Sequence, residues 1–368
     1  MFVMQFKKLI PAIVAAAILS ACVGAPRLPP ARPAPVIIKP AEVPKPVSPR
    51  PPVTTPADKS APQQLDAEIN ELWRTFPGRT GVAVYAIDDG WSIGKRGDEF
   101  FPQQSVSKLW VALTVLDQVD SGKLRLDQMI RITRDDLTLF HQPMRARVIA
   151  NGEIQESVLS LLEQAVITSD CTANDSLLRT AGGPEAVRAF ITRHQLGKIR
   201  FGAGERVMQS GIAGLTWQQD YSIGRNFENA RAKLPYDVRK SALDRYLADP
   251  VDGASPMAIA KALGELIKGK LLSPTSTRLL LDILARTSSG PNRLKAGVPL
   301  DWRFAHKTGT GQQLGDVSTG YNDVGIMTAP DGKRYAVTVM MGDTTAPIPS
   351  RMQMMQGVSR AVAAAHRP

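Results

Sequence analysis

The feature that most constrains this chain is where its strand-like runs fall. Apolar segments of strand type stand near both ends, at 81–87 and 91–95 and again at 302–306, 321–328 and 334–341. Asp88-Asp89-Gly90 and Pro330-Asp331-Gly332 supply turns between neighbours. What lies between reads mostly as helix. Apolar stripes at helical spacing mark 106–120, 156–167, 172–180, 184–195, 257–268 and 274–285, and further helices are expected at 64–75 and 350–365. An antiparallel sheet can recruit strands that are distant in sequence. The order therefore implies one discontinuous α/β domain of the α+β type: an antiparallel sheet formed by both chain ends and flanked by helices, plus a central all-helical lobe. A chain of 368 residues, 43% of them hydrophobic, is long enough to bury such a core.

The domain starts near residue 63. Before it, Lys7 and Lys8 precede an apolar stretch at 9–19 and then Leu19-Ser20-Ala21-Cys22, the charged, apolar and small-residue order of an export signal. Cysteine after Leu-Ser-Ala resembles a bacterial lipobox, which makes Cys22, at the end of the 1–22 signal segment, the expected lipidated first residue of the mature chain. Residues 23–62 are crowded with proline and basic side chains and cannot bury a core. At roughly 3.1 Å per residue such a tether spans on the order of 100 Å. The expected location is the cell envelope, held to a membrane through the lipid and facing the periplasm.

The net charge of +11 raises the question of nucleic acid, but no basic helix or run interleaved with aromatics occurs. The only other cysteine is Cys171, so lipidation of Cys22 leaves no disulfide within the chain. His141, His194, His306 and His366 are scattered without ligand spacing, so no metal or other cofactor is expected. No heptad pattern asks for a coiled coil, and the oligomeric state stays open.

Chemistry concentrates in three places. Ser105 stands three residues before Lys108 at the start of an apolar helix, where side chains three apart share a face, so the ammonium is expected to reach the hydroxyl. The helix dipole there favours developing negative charge. Ser169-Asp170 stands between two helical segments, and Lys307-Thr308-Gly309-Thr310-Gly311 lies far downstream in a strand context. One Ser-x-x-Lys is common by chance. Three such motifs in this order resemble the set of the penicillin-recognising serine acyl-transferases, which include class A β-lactamases and penicillin-binding proteins.

That resemblance runs from about residue 64 to the C-terminus and implies roles. Ser105 would be the nucleophile, Lys108 would tune or deprotonate it, and the backbone amides of Ser105 and Thr310 would hold the oxyanion. Ser169 with Lys307 would pass a proton to the leaving nitrogen, while Thr308, Gly309 and Thr310 would line the substrate with Lys307 supplying positive potential. Counting on from Ser169 through Gly182-Gly183-Pro184 places the deacylating glutamate at Glu205, and Gln209 stands where the family has the asparagine that helps hold the water. Asn174 matches a family asparagine near the substrate site.

Departures from the family pattern are equally specific. Ala203 and Gly204 replace an arginine and a tryptophan before the glutamate. Residues 210–248 form an enlarged connection, read as a loop with some helix that could cap the cleft. Cys171 replaces the asparagine whose amide binds the substrate side chain, and a thiol is a poor substitute. Val324 stands where many class A enzymes carry a carboxylate-binding arginine, a task for which Arg293 is a candidate. The implied activity is hydrolysis of β-lactam amides, slow or altered in range, with a β-lactam or peptidoglycan-like acyl compound as small-molecule partner. Two alternatives stay open: an envelope D-alanyl-D-alanine carboxypeptidase or other acyl hydrolase, and a sensor or binding module that does not turn over.

Overall fold

The computed structural model describes residues 60–368. The export segment, Cys22 and nearly all of the proline-rich stretch lie outside the described residues. The chain enters through α1 (Gln63–Thr75), β1 (Thr80–Ala86), β2 (Ser92–Lys95) and the short β3 (Phe101–Pro102), and a 3-10 turn over Gln104–Ser107 leads into α2 (Lys108–Asp120). Next come β4 (Met129–Thr133), α3 (Arg145–Asn151), β5 (Glu153–Ser157), α4 (Val158–Glu163), a π-helical turn over Gln164–Thr168, α5 (Cys171–Thr180) and α6 (Gly183–Arg193). The connection follows as α7 (Glu205–Ile212), α8 (Asn226–Lys233), α9 (Tyr236–Ala248) and β6 (Gly253–Ala254), and then α10 (Pro256–Ile267) and α11 (Pro274–Ala285). The chain closes with β7 (Arg303–Thr310), β8 (Gln313–Leu314), β9 (Val317–Thr328), β10 (Arg334–Thr344) and α12 (Ile348–Ala365).

Both ends share one antiparallel sheet, ordered β2-β1-β10-β9-β7 with β8 on β9. Thr80 pairs with Met341 and Ala86 with Tyr335, so the first strand is completed by the last. The two faces of β1 feed different cores. Ala83 packs with α2, α10 and α11, while Val82 and Val84 pack with Leu65 and Ile69 of α1 and Met355 and Val358 of α12. Burial on both faces explains why 81–87 is nearly all apolar rather than cleanly alternating.

The helix α2 is buried along every residue from Lys108 to Leu116. A helix apolar all round belongs inside, and this one runs through the larger core with its N-terminal end at the junction of sheet and helical part. That end carries Ser105 and Lys108.

Local structure differs from expectation in three places. Residues 156–167 are not one helix: Glu153–Ser157 pairs with β4, and Ser157 then caps α4 by accepting from Ser160 N at 3.1 Å. The helix expected over 106–120 starts only at Lys108, after a 3-10 turn, and Pro102 ahead of that turn lies in β3, opposite Gly253 of β6, which ties the Ser105 turn to residues 252–254. The segment 210–248 is mostly helical rather than loop.

Candidate functional site

Ser105 lies in the 3-10 turn ahead of α2. The residue before it, Gln104, has φ of 53°, a left-handed conformation that costs a non-glycine residue energy and that surrounding contacts must enforce. Those contacts are present: Asp252 Oδ2 accepts from Gln104 N at 2.7 Å, and the Gln104 side chain is held at both ends. The strand β7 presses on the same turn. A Cβ on Gly309 would sit 2.3 Å from the carbonyl oxygen of Gln103, so only glycine permits this approach. Gly309 therefore packs on the turn instead of lining the cleft.

Lys108 and Lys307 are both buried and converge on Ser169. Lys108 Nζ donates to the Ser169 carbonyl at 2.8 Å, lies 3.3 Å from Ser169 Oγ and 3.2 Å from Cys171 Sγ, and pairs with Glu205 Oε1 at 3.3 Å. It makes no hydrogen bond to Ser105 among the described residues. The expected contact along the helix face gives way because these partners draw the ammonium toward α5 and α7. Lys307 Nζ donates to Ser169 Oγ and to the Thr308 carbonyl, both at 3.0 Å. Ser169 itself is left-handed, with φ of 63°, at the end of the π-helical turn. Asp170 follows as the cap of α5, accepting from Ala173 N and Met144 N at 2.9 Å each.

The two lysines are driven in opposite directions. Burial acts to lower Lys108, but the Cys171 sulfur and the Glu205 carboxylate outweigh it and hold the amine above its usual range. Burial lowers Lys307 well below that range, reinforced by the charges of Lys108 and Arg293. The surroundings thus favour the ammonium form of Lys108 and disfavour that of Lys307. Burial, with Glu205 nearby, pushes the Cys171 thiol up to about 12, so it stays protonated and is a poor nucleophile.

Glu205 opens α7 and is 4% exposed. Its backbone N–H donates to Asp175 Oδ1 at 3.1 Å, and Gln209 Nε2, one turn on, reaches Glu205 Oε2 at 3.3 Å. Glu205 Oε1 faces Lys108 and accepts no hydrogen bond among the described residues. Asp175 anchors the glutamate. Asn174, expected near the substrate, does not line the cleft and donates only to Asp175 at 3.4 Å.

The opposite end of the cleft is built to take an anion. Arg293 donates to the carbonyls of Gly309 at 2.9 Å and Asn322 at 2.7 Å and to Thr310 Oγ1 at 2.5 Å, and its guanidinium lies 3.8 Å from the Tyr321 ring centre. Ser289 Oγ and Thr308 Oγ1 are 2.6 Å apart. The guanidinium thus stands beside the two threonine hydroxyls, supplying a fixed charge that Val324 cannot.

Ser105, Ser169, Cys171, Glu205, Gln209, Thr308 and Thr310 line one cleft of about 360 Å³ together with Arg293, Gln312 and the aromatic edge Phe140-His141. Lys108 and Lys307 lie directly beneath, reached through Ser169. Sequence reasoning missed Asp175, Gln312, Phe140 and Tyr246. Gln312 follows the Lys-Thr-Gly-Thr-Gly run directly, a position that hinted at cleft contact, but nothing local marked the others.

Fold and site together define a serine hydrolase of β-lactamase-like architecture. A family model described as "Beta-lactamase enzyme family" matches residues 64–365. Beta-lactamase VEB-1 of Pseudomonas aeruginosa is 27% identical over 76% of this chain and 83% of its own length. The extended-spectrum beta-lactamase PER-1 of the same organism is 30% identical over 76% of this chain and 80% of its own. The crystal structure of a beta-lactamase from Chitinophaga pinensis aligns with a TM-score of 0.67 at 29% identity, covering 82% of this chain and 99% of that one. The chain belongs to the beta-lactamase enzyme family.

Proposed function

We propose that the protein hydrolyses β-lactam amides through an acyl-enzyme on Ser105. The observation that carries this reading is the convergence of two buried lysines of opposite tendency on Ser169, which lines one cleft with Ser105 and Glu205. In acylation the Ser105 hydroxyl attacks the lactam carbonyl and loses its proton toward Lys307 by way of Ser169, while the Lys108 ammonium stabilises the anion that forms. The backbone amides of Ser105 and Thr310 hold the oxyanion, donors worth about 3 to 4 kcal/mol each. Lys307 then returns that proton through Ser169 to the departing nitrogen, which leaves Glu205 free for deacylation. In deacylation Glu205 draws a proton from water attacking the ester, and the Ser105 oxygen leaves as the hydroxyl.

The substrate carboxylate docks on Thr308, Thr310 and Arg293. The substrate side chain passes Cys171, whose thiol cannot replace an amide donor, so lactams with an acylamino group lose a contact. We further place the enzyme in the cell envelope, exported and lipid-anchored through Cys22 on the 23–62 tether. The Leu-Ser-Ala-Cys sequence supports that assignment.

Intact mass measured during reaction with a penicillin tests the reading. Wild type is expected to show a transient adduct and loss of the lactam, and Ser105→Ala neither. Equal hydrolysis by Ser105→Ala would overturn it, as would faster release of D-alanine from a D-Ala-D-Ala peptide than opening of any lactam. A permanent adduct would identify a sensor.

A further inference from the structure

Four side chains link the enlarged connection to Glu205. Tyr246 of α9, 6% exposed, donates its hydroxyl proton to Asp252 Oδ1 at 2.9 Å. Gln104 Nε2 donates to the Tyr246 oxygen at 2.6 Å, and Gln104 Oε1 accepts from Gln209 Nε2 at 2.9 Å. The same Gln209 nitrogen faces Glu205 Oε2, and Gln209 Oε1 accepts from Gln312 Nε2 at 3.0 Å.

Amide groups are nearly symmetric in shape, so packing alone does not decide which end points where. Here donor and acceptor parity decides. An ionised carboxylate only accepts, and Asp252, although burial pushes it up to about 6, is ionised at neutral pH. Tyr246 therefore gives its single proton to Asp252 and can only accept from Gln104. Gln104 must then turn its oxygen to Gln209, and Gln209 must turn its N–H groups to Gln104 and Glu205. A reversal anywhere sets N–H₂ against N–H₂ or a carbonyl oxygen against the Glu205 carboxylate, a cost that burial magnifies.

We propose that Tyr246 is a positioning residue for deacylation: with Asp252 and Gln104 it fixes the polarity of Gln209, so that Glu205 meets an N–H and not an oxygen. The proposal rests on reading Glu205 as the deacylating base. It gives the 210–248 segment a task distinct from capping the cleft, which is delivery of one hydroxyl behind the nucleophile turn.

Asp252→Asn is the sharper test because it keeps the shape and reverses the parity. The new carboxamide oxygen still accepts from Gln104 N, but its N–H₂ now faces Tyr246, which must donate onward to Gln104. The inversion then reaches Gln209 and leaves two conflicts: the Gln209 oxygen against Glu205, and a turned Gln209 N–H₂ against Gln312 Nε2, which donation to the Gln209 backbone carbonyl at 2.8 Å holds in place.

Single-turnover kinetics of the full-length chain with a penicillin, followed by intact mass, separate the two half-reactions. Tyr246→Phe and Asp252→Asn are each expected to leave acylation within about threefold of wild type and to slow deacylation on the order of tenfold, with the adduct accumulating. The double variant is expected to be no slower than the slower single one. Deacylation within twofold of wild type in Asp252→Asn, or both half-reactions falling in parallel, overturns the proposal. Glu205→Gln in the same assay separates the two failures. If it traps no adduct, the base assignment falls and takes the proposal with it. If it traps the adduct while the other variants turn over normally, the parity argument fails alone.

Discussion

The two walls of the cleft hold their polar groups by different means. On the sheet side, Lys307, Thr308 and Thr310 ride on β7, and their positions follow from backbone ladder and from Gly309 pressed against the nucleophile turn. On the α7 side, Glu205 and Gln209 are held by side chains from four separate segments: Asp175, Gln104, Gln312 and, through Gln104, Tyr246. Backbone geometry tolerates few alternatives, so the sheet wall is written in a short motif. Side-chain networks can be satisfied by many combinations, so the α7 wall is free to diverge while it keeps the carboxylate in place. Most departures from the family pattern, at Ala203, Gly204, Gln209 and residues 210–248, fall on that second wall, while Cys171 lies on α5 and Val324 on the sheet beside Lys307.

The contrast can be tested from its strongest consequence downward. Glu205→Gln is expected to leave acylation nearly intact and slow deacylation 10²–10⁴-fold, since general-base assistance contributes about that much. A penicillin adduct that persists for minutes in intact-mass spectra is the readout, and equal slowing of both half-reactions would erase the division of labour between the walls. On the sheet side, Arg293→Ala is expected to raise KM for carboxylated lactams about 10- to 100-fold with little change in kcat, the range for a lost hydrogen bond to a charged group. The same variant with a lactam whose carboxyl is esterified should show no such difference.

The smallest effect concerns stability. Burial, with Glu205 adding repulsion, pushes Asp175 up to about 6. A carboxyl whose folded value is raised favours folding below its unfolded value near 3.8 and loses that contribution as pH rises through about 6. Asp175→Asn keeps an oxygen for Glu205 N and removes the charge. It is expected to stabilise the protein on the order of 1–2 kcal/mol at pH 7.5, a gain that vanishes below about pH 4, read from urea midpoints. A loss of stability at pH 7.5 would show that the charge supports the α7 wall instead of straining it.

Legibility in the sequence divides along the same line. The mixed fold, the strands at both ends and the three motifs were readable, because each depends on local periodicity or on residues within a few positions of one another. Glu205 was reached only by counting along a family pattern. Asp175 escaped because its partner, the backbone of Glu205, lies thirty residues on and nothing local marks the pairing. Tyr246 and Asp252 escaped because their partners lie over 100 residues away, at Gln104. The β4–β5 ribbon was masked because β5 carries a single apolar side chain, Ile154, and runs without a break into the apolar stripe that opens α4 at Val158.

The sheet carries one further consequence. Because Thr80 finds its partner only in Met341, the first strand has one edge uncovered until almost the whole polypeptide is present. Assembly must therefore wait for the tail, and non-local pairing of this kind slows folding. Losing β10 and α12 to truncation would strip the opening strand of its neighbour and leave an adhesive edge instead of a smaller working enzyme.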